Sequence, residues 1–294
     1  MSSGKAPQAP AVLINRWILS RLARAIGEST RGIQEFRLDE GSAALYHFFW
    51  GEFCDWYIEL TKPIFNGNDD AQRRETKETL ARVIETALRA LHPFMPFITE
   101  ELWQKVPRPE TRPVSIALGP YPSTADGRVD EPAERLMTAL MQAVSAARTV
   151  RSEHDVKDSV KVPLTLRTAD RELSDMLSAQ SRSIEFLVKT DGSPRIEPLG
   201  GERPRGTVLS VAGEIEVLVG LRGLVDPQKE LERVERELKK LAKDLSGLEK
   251  RLSNPNFASN APADVVAQAR QQKAALDRQR ARLEEARSLV SELG

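Results

Sequence analysis

The stretch Leu231–Leu252, LERVERELKKLAKDLSGLEKRL, places Leu231, Val234, Leu238, Leu241, Leu245, Leu248 and Leu252 at alternating spacings of three and four residues. That alternation is the apolar seam of a coiled coil. Asn254-Pro255-Asn256 interrupts it, and a weaker seam follows through Val265, Ala269, Gln272, Leu276, Gln279, Leu283, Ala286, Val290 and Leu293. Two helical runs of similar length joined by a short break predict an antiparallel, intramolecular hairpin over 226–294. Each limb would be about 38 Å long at the α-helical rise.

Toward the N-terminus the pattern changes twice. Residues 154–225 carry short β-branched runs bounded by Gly or Pro: Val160–Leu166, Arg195–Leu199, Thr207–Val211 and Glu214–Leu218. With one helix near Arg171–Leu187 they predict a small α/β connector. Residues 11–153 read as a helical bundle behind a disordered lead, 1–10. Ala11–Phe36 sets Ile18, Leu22 and Ile26 on one stripe and Arg16, Arg24 and Arg31 on another. The next helix, with Asp39 as N-cap, carries Leu45, Phe48, Phe49, Phe53, Trp56 and Ile58 towards Pro63, and its all-round apolarity predicts the central member of the bundle. A turn at Asn66–Asp70 leads to a third helix that ends before Pro93, and Pro96 opens a short fourth. Pro107–Pro132 predicts an extended excursion across the bundle surface, and Glu131–Ser152 a returning helix. The fold class expected is mainly α.

Composition removes several classes of function. The 43 Lys/Arg balance 43 Asp/Glu, so a globally basic nucleic-acid binder is excluded, although cations gathered on one face are not. No apolar run is long enough to span a membrane. The opening MSSGKAPQAP lacks the apolar core of a signal peptide, so a cytoplasmic location is expected. One cysteine and three histidines exclude an internal disulfide and argue against a metal site. Gly200-Gly201 precedes Glu-Arg-Pro and no helix start, so it is not a phosphate loop. His47, His92 and His154 stand far apart, Cys54 lies in the most apolar helix, and Glu100 and Glu101 point about 100° apart. No catalytic constellation emerges.

Nucleic-acid binding is better supported. The first 37 residues hold six Lys/Arg against two Glu, and an arginine face beside Trp17 suits phosphate contact with stacking on an unpaired base. The competing reading is a solvated helix face with Trp17 in the core. From Pro227 onward there are 14 Lys/Arg against 11 Asp/Glu. Much of that is pairing across the hairpin. Lys239, Lys240, Lys243, Lys250, Arg251, Arg278, Arg280 and Arg282 remain as candidates for phosphate contact.

Three stretches are more specific than their physics. Asn15-Arg16-Trp17-Ile18-Leu19-Ser20-Arg21-Leu22 resembles a signature helix of the class I aminoacyl-tRNA synthetases for valine, isoleucine and leucine. Phe53-Cys54-Asp55-Trp56-Tyr57-Ile58-Glu59 followed by Lys62-Pro63 resembles a second. His92-Pro93-Phe94-Met95-Pro96-Phe97-Ile98-Thr99-Glu100-Glu101-Leu102-Trp103 resembles a third. The C-terminal hairpin, with Asn254-Pro255-Asn256-Phe257 and Ala261–Val266 at its break, is similar to the valyl-tRNA synthetase family. An isoleucyl enzyme would commonly end in a cysteine-rich zinc module.

The resemblance implies an anticodon-binding bundle, with Arg16, Trp17, Arg21 and Arg24 on the anticodon side, and an arm against the outer corner of the tRNA. The family's catalytic domain with its HIGH and KMSKS motifs, its editing domain and the helix that opens its anticodon-binding bundle are not in this sequence. The implied role is therefore tRNA(Val) binding as the C-terminal part of a valine–tRNA ligase, whether a fragment or one piece of a split gene. ATP would serve the complete enzyme only, and no cofactor or metal is expected here. A monomer is expected, with a separate catalytic chain as a possible partner. The alternative is a stand-alone RNA-binding or scaffold protein that has kept a synthetase-derived fold.

Overall fold

A computed structural model of the chain describes residues 10–107, 113–123, 128–253 and 263–293. These form two compact units. The first extends to Gln142 and takes in Asp175–Leu187, while the second comprises Ala143–Ser174 and resumes at Val188.

The first unit is a helical bundle. Helix α1 (Leu13–Gln34) is its central member, buried on nearly every side through Ile14, Trp17, Ile18, Leu22 and Ile26 and the small residues Ser20, Ala23, Ala25 and Ser29. Those small side chains let neighbours approach α1 from several directions at once. This corrects the sequence expectation, which gave the central place to the following helix. That helix runs as α2 (Leu38–His47), a π-helical segment (Phe48–Tyr57) and α3 (Ile58–Phe65), and it leaves Tyr46 and Trp50 more than half exposed. Asp39 lies in the first turn of α2 rather than at its N-cap, which is Arg37 without a side-chain bond. In the π segment, i→i+5 bonding widens the turn so that residues four and five apart lie over one another. Phe49, Phe53 and Tyr57 accordingly stack, with centroids 5.5 and 5.9 Å apart.

Where α1 and α2 meet, a Cβ on Gly32 would fall 2.7 Å from the backbone nitrogen of Gly41, so the two helices close on each other only because position 32 has no side chain. Helix α4 (Asp70–Leu91) is capped by Asp69, which accepts from the backbone N–H groups of Ala71 and Gln72. Helix α5 (Pro96–Lys105) begins with Pro96 at its first position, as the sequence implies. Leu88, Trp103 and Ile116 form a satellite core that holds the described part of the excursion between α5 and α6 (Glu131–Glu153). Pro109 and its neighbours 108–112, and residues 124–127, lie outside the described residues.

In the second unit, β1 (Leu164–Thr168), β2 (Arg195–Pro198), β3 (Thr207–Ala212) and β4 (Ile215–Gly220) form one mixed sheet in the order β2-β1-β4-β3. β1 pairs in parallel with β2, Thr165 opposite Arg195, and antiparallel with β4, Leu166 opposite Val217. Two short helices, α7 (Arg171–Ala179) and α8 (Ser181–Val188), separate β1 from β2 in the chain, where the sequence suggested one. The glycine pair rejected as a phosphate loop has a structural use. Buried Arg167 donates to the carbonyls of Gly201 (2.8 Å) and Glu202 (3.1 Å), and a Cβ on Gly201 would fall 3.0 Å from its guanidinium.

Helix α9 (Pro227–Ser253) starts on Asp226, whose carboxylate accepts from the N–H groups of Gln228 and Lys229. It packs along α10 (Ala263–Leu293) through Val234, Leu241, Leu245 and Leu283, with Leu238, Leu276 and Ala286 alongside. Val234, near the start of α9, shares this core with Leu283 and Ala286 near the end of α10, and Glu249 near the end of α9 meets Lys273 early in α10 at 3.1 Å. The pair is therefore antiparallel. Asn254-Pro255-Asn256-Phe257 and Ala261-Pro262 at the break lie outside the described residues.

Candidate nucleic-acid interface

Two surfaces carry the sequence candidates. On α1, the face that holds Arg16, Arg21 and Arg24 points at carboxylates of the same chain. Arg16 donates to both oxygens of Asp130 at 2.8 and 3.0 Å. Arg21 grips Glu52 of the π segment at 2.7–3.0 Å and reaches Glu134 at 3.4 Å. Arg24 donates to Glu134 at 2.8 and 3.0 Å. Ser20 joins them, accepting from the backbone N–H of Asp130 at 2.8 Å and donating to Glu134.

The electrostatics match this arrangement. The Arg16 bond holds the Asp130 carboxyl below its usual range. Burial pushes Glu134 up, but bonds from Arg24 and Ser20 outweigh it, and the net shift is downward. These arginines stay about one third exposed, and their guanidiniums bind α1 to the start of α6 and to the π segment.

Trp17 requires a correction. It is 1% exposed, a core side chain, and cannot stack on a base. Its ring lies on the inward side of α1, beside Ile14 and Ile18, while Arg16 lies on the other. One residue of helix rotation, about 100°, separates the two roles.

The remaining signature residues also position structure. The Asn15 amide donates to Glu75 (2.9 Å) and Thr76 (3.1 Å) and accepts from the Tyr57 hydroxyl at 2.8 Å. Glu75 in turn accepts from the backbone N–H groups of Ala11 and Val12 at the start of α1. Burial pushes the Tyr57 hydroxyl well above its ordinary range, so it remains a donor. Glu100 accepts from Gln104, Ser115 and the Ile116 N–H, bonds that hold its carboxyl low and pin the excursion to α5. Cys54 is half-buried, and burial raises its thiol. No group of three or more potential metal ligands occurs among the described residues.

The arm is arranged differently. At about 100° per residue, Lys243 and Lys250 point directly away from the seam through Val234, Leu241 and Leu245, with Arg236, Lys239, Lys240 and Arg251 around them. All six are exposed. The carboxylates of Glu235, Glu237, Asp244 and Glu249 fall on the flanks, where Glu249 pairs with Lys273 and Glu237 with Arg233. Lys239, Lys240, Lys243 and Lys250 make no ion pair among the described residues.

On α10, Arg278 is exposed, whereas Arg280 lies near Asp277 (3.7 Å) and Glu284 (3.9 Å). The side chain of Arg282 lies outside the described residues. The structure adds two cations that the sequence reading missed. Arg236 stands one turn before Lys239 and Lys240, and exposed Arg270 lies on the outer side of α10. The angle of each cation from the seam is the signal that identifies both.

Comparison with known proteins agrees with this division. Residues 15–166 match the family described as the anticodon-binding domain of tRNA ligases, and the chain belongs to that family. Residues 226–290 match the valyl-tRNA synthetase tRNA-binding arm. Among relatives, the chain is 35% identical over 294 residues, its whole length, to the valine–tRNA ligase of Rhizobium meliloti (strain 1021) and covers 30% of that protein. It is 36% identical over 284 residues to that of Carboxydothermus hydrogenoformans, 97% of this chain and 32% of the relative. With that of Geobacter sulfurreducens it shares 36% over 260 residues, 88% of this chain and 29% of the relative. The chain thus spans about a third of the length of the curated relatives it matches, corresponding to their C-terminal part. No described helix is long and apolar enough to cross a membrane.

Proposed function

We propose that this chain is the tRNA-binding portion of a valine–tRNA ligase and that it takes tRNA(Val) as its partner. The bundle would serve the anticodon stem-loop and the arm the tRNA backbone. One observation carries the reading. The outer surface of α9 collects Arg236, Lys239, Lys240, Lys243, Lys250 and Arg251, while most of its carboxylates lie beside the seam. A coiled coil spends its apolar residues on itself, so such a ridge meets phosphates and shape and carries no base readout.

Activation of valine with ATP would fall to the part of those relatives outside the matched segment, supplied on the same chain or on another. On the bundle side the support is the family match. The three α1 arginines enter this reading only where phosphate competes with Asp130, Glu52 and Glu134 for them.

The test is a binding titration of the full chain with tRNA(Val) and with one other tRNA over a salt series. Affinity should fall linearly on logarithmic axes as salt rises, with a slope of about −0.9 for each phosphate neutralised on duplex regions. Absence of binding to either tRNA at low salt would overturn the reading.

A further inference from the structure

The corner between α4 and α5 displays an apolar knob that nothing in the bundle covers. Phe97 is 89% exposed, and Met95, Ile98 and Leu102 beside it are each more than two fifths exposed. The opposite side of α5 is fully engaged, because Thr99 and Trp103 are buried and the Trp103 indole donates to Glu85 at 3.1 Å. Helix α5 therefore carries two apolar sides and uses one.

The corner is also rigid. Pro93 and Pro96 restrict the backbone. The His92 imidazole and the Thr99 hydroxyl meet at 2.8 Å, and that hydroxyl lies 2.7 Å from the Met95 carbonyl. A preorganised aromatic knob is what an interface anchor requires, since little ordering entropy is lost on docking.

We propose that this knob, Met95, Phe97, Ile98 and Leu102, is the docking surface for the protein portion of a valine–tRNA ligase that lies outside the matched segment. The proposal rests on the reading above for its partner, and not on RNA affinity. More than two thirds of each relative's length is outside the match, so an apolar protein face of ample size belongs to the same enzyme. The charges around the knob argue against RNA. Glu101 holds Lys105 at 2.7 Å, and Glu100 beside it is an ionised carboxylate. An apolar surface flanked by carboxylates suits protein and repels phosphate.

The experiment places a thiol at the knob. Phe97→Cys and, as a control on the arm, Gln268→Cys are introduced into this chain. They are also introduced into a chimaera in which the chain replaces the matched C-terminal part of the Rhizobium meliloti enzyme. Maleimide labelling rates are read at each site by peptide mass spectrometry. Position 97 should label at least tenfold more slowly in the chimaera than in the isolated chain, with position 268 labelling alike in both. Equal rates at position 97 overturn the proposal. Protection in the isolated chain that grows with its concentration, and is no greater in the chimaera, assigns the knob to a second copy. Protection on adding tRNA(Val) to the isolated chain assigns it to RNA. Either result overturns the docking proposal. The tRNA titration is a separate readout, so loss of RNA binding leaves the labelling result intact.

Discussion

The imidazole Nδ1 of His154 lies 2.8 Å from Oε1 of Glu230, two side chains 76 residues apart that are 7% and 4% exposed. Burial pushes the Glu230 carboxyl up, but bonds from Arg233 and His154 outweigh it and leave it at about 2. An ionised carboxylate only accepts, so the proton of this bond resides on His154 Nδ1. The pair ties the residue after α6 to the first turn of α9, the root of the arm.

The first prediction follows from that carboxylate. Its folded value is depressed below the unfolded one, so its contribution is complete above about pH 4.5 and is lost as pH falls towards 2. The amount is about 3 kcal/mol. Urea unfolding followed by circular dichroism from pH 7 to pH 2.5 should show a steeper acid loss in the native chain than in Glu230→Gln. The variant should already be weaker at pH 7, because it leaves the Arg233 guanidinium without its carboxylate. Parallel acid limbs would remove Glu230 from the account.

Trp17→Ala should act on stability. Emptying a fully buried indole site costs about 3–5 kcal/mol. Thermal melting should reveal that loss, and the ratio of affinities for two tRNAs measured on the folded protein should stay unchanged.

Lys239→Ala, Lys240→Ala and Lys243→Ala combined should leave the melting temperature within about a degree, because these side chains make no ion pair among the described residues. Binding to tRNA(Val) and to another tRNA should weaken by similar factors. The salt slope should flatten by about one unit for each phosphate that is no longer neutralised. Unchanged binding would show that the lysines serve solubility alone.

Two glycine substitutions should have opposite signs. Gly32→Ala drives a methyl group into the backbone of Gly41 and should cost about 1–3 kcal/mol. Gly247→Ala, in the middle of α9 with nothing within 4 Å of the new methyl, should stabilise the arm by about 0.5–1 kcal/mol. Paired denaturant titrations would compare them directly.

The arm shows what a sequence determines by itself. Leu231 to Leu252 at spacings of three and four dictate a helix and the side it buries, and Asn254-Pro255-Asn256 dictates that the helix stops. Both are consequences of local geometry at 1.5 Å and 100° per residue. The strands of the connector were legible for the same reason, from β-branched runs between glycines and prolines. The π segment was not, because i→i+5 bonding leaves no distinctive spacing among residues that are apolar all round.

Only the tertiary structure decided the fate of the α1 arginines. A cation on a helix looks the same in sequence whether it faces a phosphate or a carboxylate. Asp130 and Glu134 lie 110 or more residues from Arg16, Ser20 and Arg24. The fold brings those charges together, and the same packing that seats Trp17 against the core turns Arg16 towards Asp130. The arm's lysines stay exposed because a two-helix hairpin has one buried seam, which its leucines fill.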